Sequence, residues 1–214
     1  MKSFAETLAS GKFVVTCELN PPKGADLQPL FRKAERLKGL VDAFNITDSA
    51  SSRMTMSPTA VCHLLLDKGI DTILQITGRD RNRLALQGEF LAAHALGINN
   101  VLCMSGDPPG GGDHPEAKGV FDLDAMGLLR AAGALQSGVD MAGNELRGTP
   151  SFTLGAVANP GARDLEVELR RMEEKVELGA SFFQTQAVYD LAMFERFMAS
   201  AGGFGVPILA GSIV

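Results

Sequence analysis

Carboxyl and carboxamide side chains stand just after the short apolar runs of this 214-residue chain: Glu18 in CELNPP, Asp107 in SGDPPGGG and Gln186 in QTQ. A carboxyl that closes an apolar run at the mouth of a site is partly desolvated, which raises its pKa and makes it a competent acid near neutrality. Glu18 therefore reads as a proton donor or as one half of a rim ion pair. Asp107 follows Gly106, where the absence of a side chain lets the backbone come close to a ligand. It opens a long loop through PPGGGDHPEAKG to Val120, and reads equally as a ligand contact or as a turn former before Pro108. Gln186 can both donate and accept, which suits a partner edge made of amide-like groups.

Other reactive groups are less promising. Cys17, Cys62 and Cys103 are widely spaced and form no C-x-x-C pair, so neither a structural metal nor a disulfide frame is expected. His63 and His94 fall on helical patterns, while His114 lies in the long loop. Gly110 to Gly112 lack a following helix N-terminus, which makes them a weak phosphate cradle. No lysine closes an apolar run, which disfavours Schiff-base chemistry. The net charge of −5 argues against nucleic acid as a partner, because phosphate neutralisation needs clustered cations, and Arg79, Arg81 and Arg83 have Asp80 among them. No apolar run is long enough for a signal sequence or a membrane span, so a cytoplasmic protein without membrane contact is expected.

The elements that must position these groups repeat. Candidate strands at 13–19, 42–47, 71–77 and 99–105 are centred near Val15, Phe44, Ile73 and Leu102, a constant step of 29 residues. A further pair centred near Thr153 and Phe182 keeps that step, and 206–210 forms a last apolar run. Continuous apolar runs, rather than strict alternation, mark strands covered on both faces, as in parallel sheets. Helical patterns lie between them. Asp26 is a candidate N-cap before the stripe Leu30, Ala34, Leu37 and Val41; Asp164 is another before Leu165, Leu169, Met172 and Val176. Gly97 and Gly179 mark helix ends, and Ser3 with Glu6 makes a capping box. With no glycine fingerprint after the first strand, the α/β class narrows to a (β/α)8 barrel of TIM type, one domain over residues 1–214 that stops after its seventh strand.

Taken together, ELNPP at 18–22, Gly-Asp-Pro-Pro at 106–109, GDHPEAKGVFDLD at 112–124 and the Thr-Gln before VYD at 185–190 closely resemble the methylenetetrahydrofolate reductase family. The resemblance runs from about residue 12 to the end. It is strongest to the branch found alone or fused to homocysteine methyltransferases, which shares TGRDRNRLALQGEFLAAHALGI at 77–98. The resemblance implies an FAD-containing barrel in which NADH or NADPH reduces the flavin, and the flavin then passes a hydride to the methylene carbon of a folate substrate. Glu18 matches the family's acid, which protonates N10 of the folate. Asp107 matches an aspartate near flavin and pterin, and Gln186 a folate contact. Thr47, Gly106 and Lys175 match flavin-contacting positions, Lys175 at the phosphates.

Departures accompany the match. Gln75 stands for a histidine of many relatives, Ser105 for an arginine, Asn159 for a flavin-stacking aromatic and Glu174 for another arginine. These changes at the cofactor positions remove charge and stacking area and predict weaker flavin binding. The resemblance also implies a last strand and helices beyond the seventh strand. A folate-binding or complex-forming subunit without reductase activity, and a pterin-dependent methyl transferase, are the competing functions. A homo-oligomer or a methyltransferase partner is compatible with either.

Overall fold

The computed structural model describes residues 3–213. Seven parallel strands form one sheet in simple sequence order: β1 (Thr16–Leu19), β2 (Ala43–Ile46), β3 (Thr72–Thr77), β4 (Asn100–Met104), β5 (Thr153–Ala158), β6 (Phe182–Ala187) and β7 (Ile208–Gly211). After the leading helix α1 (Phe4–Ala9), helices α2 (Gln28–Leu37), α3 (Pro58–Leu66), α4 (Arg83–Ala95), α5 (Ala125–Gln136), α6 (Leu165–Glu177) and α7 (Leu191–Ala201) alternate with the strands. Each strand pairs with its sequence neighbours, and the sheet curls into a TIM-like half-barrel. The described residues supply seven staves, so β1 and β7 are edges. No described helix is long and apolar enough to cross a membrane.

Strand alternation builds two cores. Phe44, Ile46, Leu74, Ile76, Val101, Cys103 and Phe183 face outward into the shell of helices. Ala43, Ile73, Leu102 and Phe182 face inward and pack on Phe4, which closes the bottom of the curl with its ring 5.2 Å from that of Phe182, edge to face. The capping box forms as expected: Ser3 Oγ accepts from Glu6 N and Glu6 Oε2 accepts from Ser3 N, which starts α1 where Phe4 can enter the barrel. Gly97 and Gly179 take the left-handed conformation just beyond α4 and α6, with φ of 78° and 97°.

Several boundaries shift from the sequence reading. β1 begins at Thr16, where its register with β2 starts at Ala43, and Phe13 is exposed. The fifth and sixth strands start at Thr153 and Phe182 instead of centring there. Asp26 lies one residue outside the cap of α2, although its Oδ1 still accepts from Gln28 N at 2.9 Å; Asp164 caps α6 as expected. The long loop contains one turn of 3-10 helix at Pro109–Gly111.

Candidate functional site

Parallel strands curled in this order bring all their C-terminal ends to one rim, and there a cavity of about 590 Å³ opens. Its wall contains nine of the residues singled out in the sequence: Glu18, Thr47, Gln75, Ser105, Gly106, Asp107, Asn159, Lys175 and Gln186. Glu18 and Asp107, from the ends of the first and fourth strands, share this one opening. A second hollow of about 520 Å³ lies at the opposite end, beside α1 and the N-terminal ends of the strands.

Three of these residues have environments that spacing alone does not convey. Glu18 is exposed, not desolvated, on a strand that is an edge among the described residues; its carboxylate accepts from Gln75 Nε2 at 3.5 Å. Gly106, with φ of 89°, lines the cavity and also packs on the protein, where an added Cβ would lie 3.0 Å from Thr77 Cβ and 3.1 Å from Arg79 Cβ. Lysine chemistry does reach the rim, but from a helix. Lys175, in the last turn of α6, is 8% exposed and donates to Val157 O at 2.7 Å, with its pKa pushed below the ordinary value by burial.

The other candidate residues have definite places. Thr47 is buried and donates to Asn20 Oδ1 at 2.8 Å, tying the ends of β1 and β2. Ser105 Oγ accepts from Ala125 N at the start of α5, and Asn159 Oδ1 accepts from Gly161 N. Gln186 is exposed on the cavity wall. His63 and His94 lie on α3 and α4, away from the cavity. His114 pairs with Asp113 and lines a separate hollow of about 260 Å³ beside the long loop. Glu174 is exposed and outside the cavity. Burial pushes the thiols of Cys62 and Cys103 up to about 12, which removes both as nucleophiles.

Four charged residues of the wall carry no role in the sequence reading: Asp48, Arg79, Glu168 and Arg171. Glu168 and Arg171 precede Lys175 on α6 at helical spacing, and that period is the signal that finds them. Glu168 Oε1 accepts from Asn159 N at 2.9 Å. Asp48 is 8% exposed; its carboxylate accepts from Thr77 N and Thr77 Oγ1, both at 2.9 Å, and pairs with Arg81. Arg79 is 3% exposed, and Asp80 foremost, then Asp48 and Asp107, hold its pKa above the ordinary value.

Comparison with known proteins gives the arrangement a lineage. Residues 3–214 match the family model described as methylenetetrahydrofolate reductase. Methylenetetrahydrofolate reductase 1 of Schizosaccharomyces pombe is 26% identical over 212 residues, which cover 94% of this chain and 33% of that protein. The 5,10-methylenetetrahydrofolate reductase of Salmonella typhimurium is 25% identical over 219 residues, covering 98% and 67%. The chain thus spans about a third of the length of its eukaryotic relatives. Among solved structures, an uncharacterised protein from Clostridium thermocellum that binds two copies of 5-methyl-5,6,7,8-tetrahydrofolic acid superposes with a TM-score of 0.62 at 18% identity, covering 95% of this chain and 67% of the other. A 2,3-dimethylmalate lyase reaches 0.59 at 12% identity, covering 96% and 78%, so the barrel itself is shared more widely than its chemistry. With the family model matched along nearly the whole chain and its motif residues gathered on one cavity, this protein belongs to the methylenetetrahydrofolate reductase family.

Proposed function

We propose that the protein reduces 5,10-methylenetetrahydrofolate to 5-methyltetrahydrofolate, with FAD as hydride carrier and NADH or NADPH as electron donor. The observation that carries this reading is the meeting of Glu18, Asp107 and Gln186 on one cavity with the six other motif positions.

The donor set suits a flavin dinucleotide. Neither Lys175 nor Arg171 forms an ion pair with a carboxylate among the described residues, and the two stand one helical turn apart on the cavity wall, a spacing that fits a diphosphate. Lys175 spends one of its three donors on Val157 O and keeps two. Arg171 thus offsets the charges missing at Ser105 and Glu174. Thr47, Gln75, Ser105, Gly106, Asp107 and Asn159 complete the wall with small or polar groups. When bound, FAD supplies the hydride that reduces the methylene carbon.

The chain's own residues do the rest. Glu18 holds a proton and delivers it to N10 of the folate as the C–N bond of the five-membered ring opens. A pterin that fills the cavity takes water off this carboxyl, the condition under which a carboxylic acid works as a proton donor near neutrality. The negative charge of Asp107 favours the cationic one-carbon unit so produced. Gln186 presents a donor and an acceptor to the amide-like pterin edge.

The test is spectroscopic and uses the full-length protein. A yellow preparation should bleach with NADH or NADPH and recolour with 5,10-methylenetetrahydrofolate. Glu18→Gln should slow the recolouring by about 100-fold or more, the usual scale of a lost general acid, and leave the bleaching intact. A colourless protein that takes up no added FAD, or equal losses in both steps, defeats the reading.

A further inference from the structure

We infer that Arg79 is a positioning residue that sets Asp107 on the cavity wall by way of Ser52. A buried guanidinium persists only where its fork is satisfied, and here the partners form a chain. Nε and Nη2 donate to the Asp80 carboxylate, Nη2 also donates to Asp48 O at 3.4 Å, and Nη1 donates to Ser52 Oγ at 3.1 Å. The Ser52 hydroxyl in turn donates to Asp107 O at 2.8 Å and lies 3.1 Å from Pro108 O. Ser52 has φ of 57°, a left-handed conformation that a serine holds only where its surroundings fix it.

The same residue grips the far end of the loop. Arg79 O accepts from Val120 N at 2.6 Å, so its side chain fixes the loop where Asp107 begins it and its backbone fixes the loop where it returns. Gly106 packs directly on Arg79, with space for no side chain between them. The Asp107 carboxylate has no such anchor among the described hydrogen bonds; its place on the wall follows from its backbone. Arg79 makes no hydrogen bond to the Asp107 carboxylate among the described residues; its charge attracts that carboxylate, and its hydrogen-bonded link to the Asp107 backbone runs through the Ser52 hydroxyl.

The value of this placement for catalysis rests on the reading of Asp107 given above, whereas the relay itself does not, and the experiment separates the two. Hydrogen exchange followed by mass spectrometry on the full-length protein would compare wild type, Ser52→Ala, Arg79→Lys and the double variant. Ser52→Ala removes the relay and keeps the buried charge, so it carries the test even where Arg79→Lys fails to fold. Amides in 105–120 should exchange at least tenfold faster in each variant, with β6 and α7 unchanged. Oxidation of the reduced protein by 5,10-methylenetetrahydrofolate should slow at least tenfold, with reduction by NADH or NADPH within twofold of wild type, and the double variant should be no worse than the worse single one. Exchange in 105–120 within twofold of wild type in Ser52→Ala would overturn the relay, and equal slowing of both half-reactions would reduce Arg79 to a structural role. Faster exchange in a protein whose wild type never turns over folate upholds the relay and ends the reductase reading instead.

Discussion

Exchanging Gly106 for alanine tests the wall of the site at the point where geometry is least forgiving. The residue follows β4 with φ of 89°, and an added Cβ would sit 3.0 Å from Thr77 Cβ and 3.1 Å from Arg79 Cβ, both on short, buried attachments that cannot swing aside. A left-handed conformation costs an L-residue about 1–2 kcal/mol, and overpacking adds about 1–3, so the variant should lose about 2–5 kcal/mol. For a domain of this size, each kcal/mol moves the melting temperature by about 2–4 °C, which predicts a fall of roughly 4–20 °C. Gly88 provides the control of opposite sign. It lies exposed inside α4, where an added Cβ meets nothing within 4 Å, and alanine there should gain about 0.5–1 kcal/mol through the unfolded chain and helix propensity. Urea unfolding and thermal melts of both variants beside wild type make the measurement. If Gly106→Ala stays within about 0.5 kcal/mol of wild type while Gly88→Ala shows its gain, the loop is soft at Gly106 and the backbone there does not hold Asp107 in place.

Two further outcomes follow from burial. Phe4→Ala removes the plug of the barrel, a fully buried ring stacked edge to face on Phe182, and should lower the unfolding free energy by about 3–5 kcal/mol while leaving the chemistry at the opposite rim little changed; a loss under about 1 kcal/mol would show that α1 does not close the curl. Lys175 is held by burial below its ordinary value of 10.5, so between its folded value and 10.5 the unfolded chain binds more protons than the folded one. Stability should therefore rise as pH climbs through that window, and Lys175→Met should lack this rise when urea midpoints are compared at about pH 8 and about pH 10. Equal pH slopes for the two proteins would place the ammonium in water.

The parts of this molecule that the sequence makes legible are those that repeat or stop. A step of 29 residues from Phe44 to Ile73 to Leu102 is a strand, a helix and two turns, and the structure returns it as β2, β3 and β4 in order. Once those strands are parallel, their C-terminal ends cannot avoid meeting, which is why nine residues chosen from separate motifs line one cavity. What the spacing could not convey is environment. The exposure of Glu18 depends on what lies beside an edge strand, and the packing role of Gly106 depends on Thr77 and Arg79 arriving from a neighbouring strand. Lys175 shows a third limit, reach: its backbone lies in the last turn of α6, and its long side chain carries the charge to the cavity wall, where Nζ donates to Val157 O. The link from Ser52 to Asp107 crosses 55 residues of sequence, and no local pattern records it. Local periodicity thus fixes where side chains can act, whereas their charge state and aim are set by contacts between distant segments. That division places the informative experiments at Ser52, Arg79 and Gly106, the residues that hold Asp107, as much as at Asp107 and Glu18 themselves.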